Sequence, residues 1–292
     1  MTPGYLDKKN LCGVVVIYNP DESITANIST YIDQLSHLYV MDNSEQVDND
    51  LITKICAVSD KISYHAFGEN KGIATALNEG CKLGVNHGYG WILTMDQDSY
   101  FDSAEFFESV VDIDYEATAI VAASYNDLHF KPAPSSFAGL LQIGFVITSG
   151  NVLNLSAWLA LGGFMDKLFI DEVDNEFCIR AGLNGYKILT TEKIFLKHHL
   201  GEDVVVNHFI TGKKRKVSKH SPLRVYYVLR NNLYIWRKFA FSAPVFVVNR
   251  VRNMLTQVFK IFVYFPDKGK YLKVMLKAIK HAFTGRYGKF TD

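Results

Sequence analysis

Apolar runs of strand length alternate with helix-like stretches through the first two thirds of this chain. Leu11 to Tyr18 reads as a buried strand that ends at Asn19-Pro20. Asp21-Glu22-Ser23 then offers an N-cap and an acidic first turn for a helix to Leu35. His37 to Met41 is a second strand, closing on Asp42-Asn43-Ser44, and Asp50 to Ser59 is a helix. Ile62 to Ala66 is a short third strand, and Asn70 to Leu83 is a helix entered through Lys71-Gly72. Trp91 to Met95 is the fourth strand and runs into Asp96-Gln97-Asp98-Ser99. This alternation predicts an α/β fold with a mainly parallel central sheet flanked by helices. Polar residues close three of these strands, and parallel sheets bind ligands at that edge.

Further along, Asp102 to Val110 reads as a helix and Ala119 to Ala123 as a strand. Tyr125 to Gly139 is polar and Pro-rich, so it is expected as a loop over the site. Gln142 to Thr148 is expected as a strand, and Leu155 to Leu161 as a helix stopped by Gly162-Gly163. Asp171 to Ala181 is expected as a helix stopped by Gly182, followed by a strand from Tyr186 to Thr190. From Leu223 onward the pattern is helical. The boundary is therefore placed between a domain at 1–222 and a helical, basic region at 223–292.

Charge sharpens that division. Residues 1–210 hold 12 Lys and Arg against 28 acids, a charge of −16, and residues 211–292 hold 19 against 2, a charge of +17. An asymmetry of this kind points to an anionic partner for the tail. Basic residues interleaved with Phe, Tyr, Leu and Val suit a helix lying on an anionic membrane surface, or an amphipathic helix packed on the domain. No apolar run in the tail reaches the roughly 20 residues that span a bilayer. The acidic first part argues against a broad nucleic-acid footprint, so a nucleic-acid-binding module is the weaker reading. Cys12, Cys56, Cys81 and Cys178 are scattered, which excludes finger-type zinc spacing and suits a reducing cytoplasm. Met1 to Asn10 lacks the apolar core of a signal peptide.

The candidate chemistry lies at the strand ends. Asp96-Gln97-Asp98 is a DxD element; its carboxylates, Asp98 with Asp96, suit a divalent metal that also holds a diphosphate. His198, in Lys197-His198-His199, is a candidate third ligand. Tyr18 and Asn19 close the first strand, and Asp42 and Asn43 either contact a base or ribose or form an Asx turn. Gly72 permits close approach of backbone to a ligand or the sheet, and Asn70 is either a ligand contact or an N-cap. Asp171, Glu172, Asp174 and Glu176 crowd a helix start, where the dipole favours acids. Asp171 and Asp174 stand at i,i+3, and flanking Phe and Ile suit a raised carboxylate pKa and general base work. Arg224, Tyr227, Arg230 and Asn231 are expected to meet acceptor sugar or phosphate.

Together these motifs resemble the inverting glycosyltransferases of family 2, which have the GT-A fold with its Rossmann-like sheet. The order that matches is Val14–Asn19, Asp42-Asn43-Ser44, Asn70-Lys71-Gly72-Ile73-Ala74, Asp96-Gln97-Asp98 and Asp171–Arg180, over roughly residues 10 to 240. Met95-Asp96-Gln97-Asp98-Ser99, Phe169-Ile170-Asp171, His198 before Leu200-Gly201, Tyr226-Tyr227 with Arg230-Asn231, and Gly285-Arg286-Tyr287-Gly288-Lys289 are similar to the bacterial rhamnosyltransferase branch. The resemblance implies a nucleotide-sugar donor, dTDP-L-rhamnose first and UDP-galactose or UDP-glucose as alternatives, with Mg²⁺ or Mn²⁺. It assigns Tyr18, Asn19, Asp42, Asn43, Asn70, Gly72, Asp96, Gln97 and Asp98 to the donor. Many relatives carry Glu-Asp and then a further Asp, whereas this chain has Asp171-Glu172-Val173-Asp174. The base is therefore expected to be Asp171, with Glu172 and Asp174 as alternates. The implied acceptor is a hydroxyl of a lipid-linked glycan in cell-surface polysaccharide synthesis. The implied location is the cytoplasmic face of a bacterial inner membrane, as a peripheral protein and a possible homodimer. A nucleotidyltransferase is disfavoured, because Tyr18-Asn19-Pro20-Asp21-Glu22 is acidic where that class carries a Gly-rich basic loop.

Overall fold

Seven consecutive buried residues make Leu11–Ile17 the strand on which the central sheet is built. A run apolar on both faces belongs inside a sheet covered on both sides. The computed structural model describes residues 5–125, 133–137, 139–197, 202–207 and 212–290. They fall into two compact units, residues 1–169 with 173–199, and residues 170–172 with 200–292.

In chain order the first unit holds β1 (Tyr5–Leu6), β2 (Leu11–Ile17), α1 (Ser23–Ser29), β3 (Leu38–Asp42), α2 (Asn49–Ala57), β4 (Ile62–Ala66), α3 (Ile73–Asn86), β5 (Trp91–Asp96), β6 (Tyr100–Phe101), α4 (Glu105–Val110), β7 (Ile113–Asp114), β8 (Thr118–Tyr125), β9 (Ala133–Phe137), β10 (Leu140–Gln142), β11 (Asn151–Asn154), α5 (Leu155–Leu161), α6 (Val173–Leu183) and β12 (Lys187–Lys197). The sheet order is β4-β3-β2-β5-β11-β8-β12-β10-β9, with β6 paired to β12. β4, β3, β2 and β5 are mutually parallel, with Val15 level with Val40 on one side and Met95 on the other. β11 runs antiparallel between β5 and β8, and β8 and β12 pair parallel. Val15, Ile17, Val40, Leu93 and Met95 share one core with the aromatic group Phe101, Phe106 and Phe107. The second unit holds a hairpin of β13 (Glu202–Asn207) and β14 (Lys214–Lys219), then α7 (Pro222–Phe239), α8 (Pro244–Tyr264) and α9 (Lys268–Thr284).

Three expectations from the sequence change. The strand expected at 142–148 is confined to Leu140–Gln142, and the sheet takes Asn151–Asn154 instead. Gly150, at φ 76, turns the chain between them, and its N–H donates to Thr94 O at 2.9 Å. The helix expected from Asp171 begins at Val173, because Asp171 (φ 62) and Glu172 (φ 65) are left-handed. Asp171 and Asp174 therefore do not share a helical face. The β13–β14 hairpin was not expected at all. Of the segment expected as a Pro-rich loop, Ala133–Phe137 forms β9 against β10, while residues 126–132 and 138 lie outside the described residues, as does His198.

α3 lies close on the sheet because of one residue. A Cβ at Gly80 would stand 2.4 Å from Cγ2 of Val14. Gly80→Ala should therefore overpack the α3–β2 contact and cost about 1–3 kcal/mol. Thermal denaturation of the variant against the parent chain, read by circular dichroism, checks this; an unchanged midpoint would refute the close contact.

Candidate active site

The strand ends of the first unit are joined by side-chain hydrogen bonds. Asn43, 3% exposed, sits at their centre. Its backbone N–H donates to Ile17 O at 2.8 Å, at the end of β2. Its side-chain oxygen accepts from Lys71 N at 3.2 Å and its amide donates to Gly72 O at 3.3 Å, at the entrance to α3. Asn19 N donates to Ser44 Oγ at 2.8 Å, and Tyr18 N donates to Gln97 Oε1 at 2.7 Å. The ends of β2, β3 and β5 thus form one constellation, as their polar residues suggested.

Asp42 is buried, with one oxygen accepting from Ser44 N at 2.7 Å and the other from Tyr64 Oη at 2.6 Å. Burial, and then this bond, push the Tyr64 phenol up from its ordinary value. Asn19, Asp42 and Ser44 line one cavity of about 320 Å³ with Asp48 and Leu51. Asn70 does not cap α3; its Oδ1 accepts from Gly72 N at 3.0 Å in a turn before the helix. Gly72 has φ 85 and ψ 160, a region open essentially to glycine alone. A Cβ there would also strike Phe169 O at 2.5 Å, while Ile73 N donates to the same oxygen at 2.8 Å. Asp96, the last residue of β5, and Asp98 just beyond it are partly exposed, and the backbone N–H of Asp96 donates to Ser149 Oγ at 3.1 Å.

The second unit contains the acidic segment Ile170–Glu172. Two consecutive left-handed residues are costly, and such strain persists only when the surroundings over-determine it. Asn231, fully buried, supplies that: its amide donates to Ile170 O at 2.8 Å and to Asp171 O at 3.0 Å. Glu172, 5% exposed, pairs with Arg250 and accepts from Asn232 Nδ2 at 3.0 Å. Asp171 has Arg224 Nε and Nη2 each 3.3 Å from Oδ1, while its buried Oδ2 has no protein partner. Burial pushes the Asp171 carboxyl above its ordinary range, against the opposing pull of Arg224, His220 and Arg250. A carboxylate with one oxygen open and a raised pKa fits general base work better than Glu172, which a cation already holds.

Comparison with known proteins follows this geometry. Residues 13–130 match the family described as Glycosyl transferase family 2. The chain is 28% identical over 251 residues to dTDP-rhamnosyl transferase RfbF of Shigella flexneri, covering 78% of this chain and 80% of that protein. The fold is similar to S. aureus TarS 1-349 in complex with UDP-GlcNAc, at TM-score 0.56 and 14% identity, covering 94% of this chain and 81% of that one. A second TarS structure matches at TM-score 0.53 and 14% identity over 93% of this chain, which spans about half (49%) of that longer protein. Residues 13–130 thus resemble a family 2 glycosyltransferase domain, and the chain over most of its length is rhamnosyltransferase-like. Its fold is of the GT-A type.

The residues expected to meet an acceptor sort into two kinds. Arg224 is about half exposed. Arg230 and Asn231 are fully buried and Tyr227 is 4% exposed. Arg230 stacks among Tyr226, Tyr227 and Tyr287 and donates to Gly288 O at 2.8 Å, and Tyr227 Oη accepts from Phe290 N at 2.7 Å. These three therefore hold the scaffold and do not present their side chains to an acceptor. Sequence reasoning missed the clamp made by Asn231 and the pairing of Glu172 with Arg250, because both link positions some 60 or more residues apart. Asp174 opens α6, where its Oδ1 accepts from Asn175 N at 2.7 Å. Glu176 pairs with Arg180 at 2.6 Å.

Among the described residues no three His, Cys, Asp or Glu side chains converge as a metal cage. Asp96 and Asp98 still fit Mg²⁺ or Mn²⁺, which are commonly held by one or two carboxylates with phosphate and water completing the shell.

The raised pKa of Asp171 has a signed consequence. The folded chain binds this proton more tightly than the unfolded one, so the contribution is present below the ordinary carboxylate value and is lost as pH rises through the raised value. Asp171→Asn should therefore melt at a higher temperature than the parent at pH 8, with the gap closing below about pH 4. Melting curves across that range decide it; a variant that melts lower at pH 8 contradicts the burial of an ionised group.

Proposed function

We propose that this chain is an inverting transferase that moves L-rhamnose from dTDP-L-rhamnose to a hydroxyl of a lipid-linked glycan acceptor. The sugar and nucleotide are suggested by the S. flexneri relative and its name. The observation that carries the reading is the tied set of strand ends around Asn43, which brings Asn19, Asp42 and Ser44 to one cavity at the sheet edge where nucleotides bind.

In this reading the nucleoside lies against Asp42 and Asn43, fixed by the Ser44 and Tyr64 hydrogen bonds that hold the carboxylate in one orientation. Asp96 and Asp98 would hold Mg²⁺ or Mn²⁺ beside the diphosphate. The bound cation would stabilise the charge that develops on the leaving diphosphate. Asp171 Oδ2 accepts the proton of the acceptor hydroxyl as that oxygen bonds to the anomeric carbon. The bond from that carbon to the diphosphate oxygen breaks on the opposite face, dTDP departs, and the configuration inverts. Arg224 opposes the upward push of burial on Asp171 and so favours its carboxylate form.

The donor is tested by offering dTDP-L-rhamnose, UDP-glucose, UDP-galactose and GDP-mannose with Mg²⁺ or Mn²⁺ and measuring binding and hydrolysis. dTDP-L-rhamnose should be preferred at least tenfold. Asp98→Ala should abolish turnover with any donor, and Asp171→Asn should retain donor affinity while losing transfer by at least about 100-fold. Full transfer by Asp171→Asn would remove that residue from the role; preference for a UDP-sugar would replace the donor.

The membrane placement rests on α8 and α9. Val245, Val248, Leu255, Phe259 and Phe262 recur along one exposed stripe of α8, and Leu272, Leu276, Ile279 and Phe283 along α9. Lys270, Lys273, Lys277 and Lys280 flank the second stripe. No helix among the described residues is long and apolar enough to cross a membrane. Such stripes suit insertion at the depth of anionic headgroups, at the cytoplasmic leaflet of a bacterial inner membrane. The chain should float with vesicles of phosphatidylglycerol but not of phosphatidylcholine. Phe259→Ser with Leu276→Ser should lose flotation, and equal recovery with both vesicle types would refute the charge component.

A further inference from the structure

Behind the exposed stripe of α8 lies a cavity of about 350 Å³, formed wholly by the second unit. Its size is at the lower end for small-molecule sites. Buried polar groups in folded proteins are nearly always satisfied. Here three side chains lining the cavity carry a buried polar atom without a protein partner: Asp171 Oδ2, Asn232 Oδ1 and Arg250 Nε. Other atoms of the same groups are paired. Asn232 Nδ2 donates to Glu172 and to Val228 O at 2.8 Å, Arg250 pairs with Glu172, and Arg224 faces Asp171 Oδ1.

The unmet set is two acceptors and one donor. Two hydroxyl groups satisfy Asp171 Oδ2 and Asn232 Oδ1, and an oxygen with a free lone pair satisfies Arg250 Nε. A sugar carries such groups a few ångströms apart. Val225, Val228, Met254 and Ile261 supply the apolar wall that the C–H face of a sugar ring needs.

Charge narrows the ligand further. Arg224 and Arg250 face Asp171 and Glu172, which balances four of the charged groups in the lining. Lys260 is the remaining cation, half-buried, and has no carboxylate among the described residues. Burial, with Arg224 and Lys260 near, pushes the His220 imidazole below its ordinary value, which keeps it a neutral donor and acceptor. One uncompensated positive charge beside a hydroxyl-reading set matches a sugar bearing a phosphoester.

We propose that this cavity is the acceptor subsite and that it binds a sugar phosphate, with hydroxyls on Asp171 and Asn232, a ring or hydroxyl oxygen on Arg250, and the phosphoryl oxygens on Lys260. The assignment rests on Asp171 as the base, yet it is tested without turnover. The phosphate can come from a free sugar 1-phosphate or from a lipid-linked sugar, and both present the same chemistry to the cavity.

The test is calorimetric titration of the full chain in the presence of saturating dTDP, using the 1-phosphates of glucose, galactose and N-acetylglucosamine. At least one should bind, with the matching free sugar and inorganic phosphate each at least tenfold weaker. Lys260→Ala and Arg250→Lys should each weaken that binding at least tenfold and leave dTDP affinity unchanged. Lys260 makes no ion pair that folding needs, so its variant keeps the test open if Arg250→Lys fails to fold. Tighter binding of the decyl phosphodiester of the same sugar assigns the source to a lipid-linked acceptor, and equal binding assigns it to a free sugar phosphate; either supports the site. Binding unaffected by Lys260→Ala, or no binding by any of the three phosphates, overturns it. Failure of the dTDP-rhamnose reading would appear separately, in the donor titrations.

Discussion

The amide of Asn43 is the bond on which the sheet-edge constellation depends. One short side chain and its own N–H reach β2 and the turn into α3, from the residue that follows β3. Burial makes this costly to break, since every partner would then be left unpaired in a low-dielectric interior. Tyr18 and Asn19 are tied in the same way through Gln97 and Ser44. Residues that parallel strands deliver to one edge thereby become a fixed set of donors and acceptors. Pre-organised polar groups bind a charged ligand without paying to reorient, which is what a nucleotide site requires.

The second unit uses the same device for a different end. Asn231 fixes a backbone that two left-handed residues would otherwise leave strained. The fixed backbone presents Asp171 and Glu172 as a pair with opposite fates. Glu172 is neutralised by Arg250 and braced by Asn232, so it serves as a strut. Asp171 is desolvated but only half satisfied, which is why the proposed base is this carboxylate. Arg230, despite its charge, belongs to the scaffold, stacked on three tyrosine rings and bonded to a carbonyl.

α8 links these features within its own unit. One face carries the apolar stripe from Val245 to Phe262, and the other contributes Arg250, Met254, Lys260 and Ile261 to the cavity. The helix thus has an apolar exposed face and an inner face that mixes charged and apolar side chains. The basic excess of the tail thus divides between an outer surface and an inner lining.

The sequence by itself determined the parallel half of the sheet and the DxD strand end. Those follow from local rules: runs of Val, Ile and Leu at strand length, Gly and Asn at their ends, and acids where a buried strand must stop. Leu11–Ile17, Ile62–Ala66 and Leu155–Leu161 were legible almost to the residue for this reason. Only the tertiary structure decided what the acidic segment does. Helical spacing paired Asp171 with Asp174, but left-handed backbone at Asp171 and Glu172 cancels that spacing. It also decided that Arg230, Asn231 and Tyr227 are internal, that β13 and β14 form a hairpin, and that Asn232 and Arg250 share a cavity with Asp171. Periodicity reports which face of an element is apolar. It does not report which distant polar group that element will meet, and burial of those groups is what sets their chemistry.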